Sequence, residues 1–167
     1  MKTVEMEIHL ANHFNIRTHL IVPNVSWGLS IHECDLLILS KAGYATEIEI
    51  KISKSDLKKD KFKNHGHLSK KIKNFYYAVP EAINVEFVKE HIPERAGIIV
   101  VNAKGRCKIV RKCIVNKDAV KIDDKERYKM ARLGALRIWN LKKNVVKKDK
   151  LIKELKDKAS ETQKDIK

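Results

Sequence analysis

Asp35, Glu49 and Lys51 are the residues of this chain best placed to do chemistry. Glu49 and Lys51 belong to Glu47-Ile48-Glu49-Ile50-Lys51, which reads as a strand. Strand side chains alternate between faces with period 2, so these two share a face. Asp35 lies in Cys34-Asp35-Leu36-Leu37-Ile38-Leu39-Ser40, a second strand joined to the first through Lys41-Ala42-Gly43. A three-residue loop with Gly where positive φ is wanted suits a hairpin. If Ser40 faces Tyr44, Asp35 falls opposite Glu49, with Cβ atoms about 4.5–5.5 Å apart. Glu33 then faces Lys51, and Leu37 faces Glu47. Leu36, Ile38, Thr46, Ile48, Ile50 and Ile52 line the other face as a core surface. A two-residue turn would slip the register by one and send Asp35 to the wrong side.

Facing carboxylates repel unless a proton, a lysine or a metal intervenes. Oxygen ligands with open water positions suit Mg²⁺, which is held by one or two carboxylates plus a substrate phosphate. Asp35 and Glu49 would be its side-chain ligands, and the Ile50 carbonyl a third. Lys51 would orient or deprotonate an attacking water, or neutralise charge building on a phosphorus. The competing reading is a solvent-facing strand with cross-strand Glu–Lys pairs. The facing Asp35 and the basic surroundings weigh against it.

Charge points to the same kind of substrate. Among 167 residues, 36 Lys and Arg outnumber 21 Asp and Glu, for a formal net charge of +15. A polyanionic partner follows, because neutralising phosphates releases counterions without reading sequence. Lysine predominates, and its compact hydrated charge suits backbone contacts better than base reading. Basic residues concentrate from Lys51 to Lys73 and again from Lys142 onward. Lys54, Lys58 and Lys61, at helical spacing after the motif strand, are candidates for the groove holding a nucleic-acid strand. His65 and His67, flanking Gly66, are candidates to face it as well. Trp27 is expected at a core or rim position rather than as a wedge between bases. The three cysteines, Cys34, Cys107 and Cys113, have no C-x-x-C spacing and argue for a reducing, cytoplasmic compartment. No apolar run approaches the ~18 residues of a membrane span.

The elements that must position these residues fit one domain. Thr3 to Phe14 is expected to be helical. His19–Val22 is a strand interrupted at Pro23-Asn24 and resumed from Val25 to Leu29. The motif hairpin follows. Ser53 is a natural N-cap for a helix through Lys61, with Asp56 three residues on. Phe75–Val79 is a buried strand, Ala82–Glu90 a short helix, and Ala96–Val101 with Cys107–Val115 a second hairpin. A helix runs from Asp123 to about Lys143. Lys147 onward is expected to be helical or frayed, and the reading assigns residues 1–145 to one domain and 146–167 to a basic, flexible tail.

Asp35, a hairpin and Glu49-Ile50-Lys51, in that order of elements, resemble the PD-(D/E)XK phosphodiesterase superfamily, the restriction-endonuclease-like fold. The segment after the motif also resembles a repair-associated, MmcB-like branch. The resemblance covers roughly residues 1–100. It departs from the family pattern in that Cys34, not proline, precedes Asp35. It implies an α/β fold with a mixed central sheet flanked by helices, in the order α-β-β-β-α-β. It implies Mg²⁺-dependent cleavage of DNA, Mn²⁺ substituting, with RNA left open as substrate. It adds Glu5, or Glu7, as a further carboxylate from the first helix. A homodimer would suit cleavage of both strands. The alternative is a non-catalytic nucleic-acid-binding module on the same fold.

Overall fold

The structure is a computed structural model that describes residues 1–25, 31–60 and 69–165. Its elements are α1 (Thr3–His13), β1 (Leu20–Val25), β2 (Cys34–Leu39), β3 (Ala45–Ile50), α2 (Lys54–Asp60), β4 (Ile72–Pro80), α3 (Val85–His91), β5 (Gly97–Val101), β6 (Cys107–Arg111) and α4 (Asp124–Asp165). The six strands form one sheet in chain order. β1/β2, β2/β3 and β5/β6 are antiparallel, whereas β3/β4 and β4/β5 are parallel. This is an α/β fold with a central mixed sheet. Parallel neighbours need a crossover, and α2 and α3 lie in those two connections.

The β2–β3 register places Leu36 against Ile48 and Leu37 against Glu47. Ser40 N–H donates to the Tyr44 carbonyl at 3.0 Å, so the loop is the three-residue one. Gly43 takes φ +89°, the left-handed conformation that glycine adopts without strain. One sheet face therefore carries Leu36, Ile38, Ile48 and Ile50. With Ala78, Ile99 and Val101 they form a core cluster, closed by Met6 and Leu10 of α1. The opposite face carries Glu47 and Glu49, with Phe75 and Tyr77 beside them across the parallel ladder.

Several elements depart from expectation. Ile52 lies beyond the end of β3 and is 41% exposed, so it leaves the core surface. β1 does not break at Pro23, which pairs with Leu36; β1 is an edge strand, where a residue without an N–H is tolerated. The described strand ends at Val25, and the expected stretch to Leu29 lies outside the described residues. α3 starts at Val85 rather than Ala82, because Asn84 Oδ1 caps it, accepting from the Glu86 and Phe87 amides at 2.8 and 3.3 Å. The second hairpin's return strand stops at Arg111.

α4 passes through residue 145 without interruption and reaches Asp165. Neither proline nor glycine follows Gly134 in this helix, so nothing local stops it. The chain divides into two compact units, Met1–Ala131 and Arg132–Lys167. Among the described residues no helix is long and apolar enough to cross a membrane.

Replacing Gly43 by Ala should cost about 1–2 kcal/mol, since the added Cβ would hold a left-handed residue in strain. Urea titration should show a lower midpoint at unchanged slope.

Candidate active site

The site is built on the sheet face opposite α1. Period 2 along β3 aligns Glu47, Glu49 and Lys51, and the β2–β3 register brings Asp35 alongside. Asp35 is half-buried, and its Oδ2 accepts the Ile50 N–H at 2.8 Å. The Asp35 carboxylate thus rests against the backbone between Glu49 and Lys51. Glu47 and Glu49 are wholly buried, and Lys51 is 5% exposed.

Lys51 Nζ lies between two acids, 3.0 Å from Glu49 Oε2 and 2.8 Å from Asp60 Oδ1. Its backbone N–H donates to the Ala78 carbonyl at 2.9 Å, tying the residue to β4 as the strand ends. Asp60, at the end of α2, is buried and also accepts a hydrogen bond from the Tyr77 hydroxyl of β4. Burial disfavours the Lys51 ammonium, but the charges of Glu49 and Asp60 outweigh it and raise its pKa above the ordinary lysine value. Lys51 is therefore a cation at neutral pH. Burial and the Asp60 carboxylate push the Tyr77 phenol up, so it stays a neutral donor. A second pair lies along the same strand, where His32 Nε2 sits 2.8 Å from both carboxylate oxygens of Glu47.

Four carboxylates, Asp35, Glu47, Glu49 and Asp60, thus gather around one buried ammonium and one imidazole. Burying charges is costly unless they are paired and hydrogen-bonded, and Lys51 and His32 each contribute to that pairing. The acids also act on Cys34, whose thiol is raised by burial and by Glu47, Glu49, Asp35 and Glu33. It is held as a thiol rather than a thiolate nucleophile.

The remaining candidates distribute as follows. Glu33 is exposed, and Lys51 turns to Glu49 and Asp60 instead of pairing across the hairpin with it. Glu5 is not brought to the cluster. It is exposed, and its Oε2 accepts the Lys2 N–H at 2.6 Å, capping α1, whose buried residues face the other side of the sheet. Glu7 lies with it on α1 and accepts from Asn24 Nδ2 at 3.3 Å. Lys54 and Lys58 are exposed on α2, their ammonium groups 5.0 and 5.7 Å from the centre of the Phe87 ring. Lys61, His65 and His67, with Trp27, lie outside the described residues.

Asp60 and Tyr77 are site residues that spacing along the motif did not announce. A signal exists for Asp60. It stands three residues after Leu57, so it shares the buried face of a short helix whose lysines point outward. A lone acid on an apolar helix face implies a buried partner. Tyr77 could be placed only once the parallel register set it beside Glu49.

A divalent ion fits the donor set in kind. Asp35 and Glu49 present hard oxygens from facing strand positions, as Mg²⁺ prefers. Among the described residues no group of three or more His, Cys, Asp or Glu is arranged to hold a metal. Two facing carboxylates suit the sparse coordination in which Mg²⁺ keeps several waters rather than an all-protein cage.

No family model matches the chain, and no curated protein matches it. One solved structure is similar, that of a protein of unknown function from Silicibacter pomeroyi. It shares 21% identity over 82% of this chain and 86% of that one, with a TM-score of 0.56. The likeness is one of fold alone.

Lys51→Met should destabilise the fold by about 3–5 kcal/mol, because Glu49 and Asp60 lose a buried counter-ion. The sign with pH follows from the raised pKa. The stabilisation is complete below the unfolded lysine value of about 10.4 and is lost as pH climbs through the higher folded value. Denaturation of wild type and variant from about pH 8 to strongly alkaline pH should therefore show the gap closing only at the alkaline end.

Proposed function

We propose that the chain is a divalent-metal-dependent nuclease that hydrolyses DNA phosphodiester bonds on a restriction-endonuclease-like core, with low or structure-based sequence selectivity. The observation that carries this reading is the convergence of Asp35, Glu49 and Lys51 on one sheet face, where β3 ends beside its parallel neighbour. Ligands of open α/β sheets gather at the carboxyl ends of such strands.

Asp35 and Glu49, with the Ile50 carbonyl, would hold Mg²⁺ or Mn²⁺. The bound ion would supply a Lewis acid and a water of lowered pKa. Lys51 carries its proton at neutral pH in the network described, so it serves as a cation and hydrogen-bond donor rather than as a base. It would orient the attacking water or neutralise charge at the phosphorus. Asp60 and Tyr77 keep the Lys51 side chain on station. Lys54 and Lys58 present positive charge to the phosphate backbone. Glu5 has no part in this scheme, because it caps its own helix.

A second reading, a nucleic-acid-binding module without catalysis, is favoured by a different observation. Lys51 already bridges Glu49 and Asp60 in a buried network, which gives both acids a counter-ion from the protein itself.

Plasmid nicking separates the two. Wild type should cut supercoiled DNA with Mg²⁺ or Mn²⁺ and stop cutting in a chelator. Glu49→Ala and Lys51→Ala should each lose about 100-fold or more in rate, the scale of removing one stabilising group at a developing charge. Glu5→Gln should cut like wild type. If all the proteins bind DNA alike and none cuts, the chain is a binding module. An RNA substrate run in parallel decides the nucleic acid.

A further inference from the structure

The second compact unit, Arg132–Lys167, belongs to α4, a helix of 42 residues in all. Isolated helices are marginal in water, and most helical stability in proteins comes from burying an apolar face. α4 has such a face. Ile138, Leu141, Val145, Ile152 and Leu155 recur three and four residues apart once Lys148 is counted as the missing step. This is the narrow 3.5-residue seam of a coiled coil. All five side chains are between 50 and 63% exposed.

We infer that this seam pairs with the same seam of a second copy of the chain, in antiparallel orientation, as a two-helix coiled coil. Antiparallel alignment sets Ile138 opposite Leu155 of the second copy, Leu141 opposite Ile152, and Val145 opposite Lys148. Lys148 is the one polar residue in the seam. There it falls against an apolar partner, its stem packed and its ammonium reaching out, the role of a single polar seam residue that fixes register.

Charge selects the direction. Beside the seam, the antiparallel pair sets Lys142 against Asp149 of the second copy and Arg137 against Lys158, each twice by symmetry. Parallel alignment would offer no opposite-charge pair there, would bring Arg137 beside Lys142 of the second copy, and would set the two Lys148 side chains against each other in the seam. Trp139 lies one position off the seam, with the Lys142 ammonium 5.3 Å from its ring centre. The rest of the helix surface is strongly basic. Salt therefore relieves repulsion between two copies while the apolar seam holds, so pairing tightens as salt rises. Binding of the same helix to DNA or to an anionic bilayer would weaken with salt.

Light scattering on the full chain tests this. Wild type should show twice the monomer mass, more so at high salt. Leu141→Lys combined with Ile152→Lys should show the monomer mass, with a thermal transition that keeps the Met1–Ala131 unit folded. In a Cys107→Ser, Cys113→Ser background, Leu141→Cys plus Ile152→Cys should oxidise to a covalent dimer. Leu141→Cys alone should not. A monomer at every salt concentration overturns the inference. So does a dimer that survives the double lysine variant, or Leu141→Cys cross-linking to itself. So does a monomer whose seam instead captures duplex DNA or phosphatidylserine vesicles at low salt. None of these outcomes depends on whether the chain cuts DNA.

Discussion

Lys51 holds together the charged face of the sheet. Its ammonium is the buried counter-charge to Glu49 on the same strand and to Asp60 on the following helix. Its amide is pinned to Ala78 on the neighbouring strand. Three segments therefore meet at one residue. Removing a buried cation from between two acids is far more disruptive than removing an exposed pair, because the acids cannot simply turn to water. The hairpin turn, the parallel ladder and the placement of α2 must all be right for this one contact to form.

That dependence explains what could and could not be read from residue order. The β2–β3 face followed from local facts: a three-residue loop, a glycine at its last position, and two strands with opposite patterns on their two sides. Asp35, Glu49 and Lys51 were legible because they sit within one hairpin. Asp60 was hidden. It follows a lysine-rich helix start, and its partner is chosen by how α2 folds back onto the sheet, which no period along the chain reports. Tyr77 and His32 were hidden for the same reason, since each is defined by a long-range neighbour. Glu5 misled in the opposite sense. A first-turn acid looks available for a site, yet a helix N-terminus is where an acid is most readily used to satisfy unpaired amides. The far half of α4 was open to two readings, because its low apolar content suggested fraying while the absence of helix breakers allowed a continued helix.

The two sides of the sheet have opposite economies of polarity. The α1 side is an ordinary apolar core, with Met6 and Leu10 packed onto branched side chains. The other side keeps acids, an imidazole and an ammonium at low exposure, where effective dielectric is low and every charge is felt strongly. Buried polar clusters of that kind are costly to the fold, and sites of chemistry are where such costs are tolerated.

The sheet's first edge has a consequence of its own. Within β1, before its last pair of Val25 with Cys34, Pro23 lacks an amide hydrogen and Asn24 takes φ 52°, which twists the backbone out of line. An outer margin interrupted this way is a poor template for a further strand, so it guards the protein against growing sideways into ribbons and aggregates. A chain this rich in β-branched, buried strands needs such a stop at its rim.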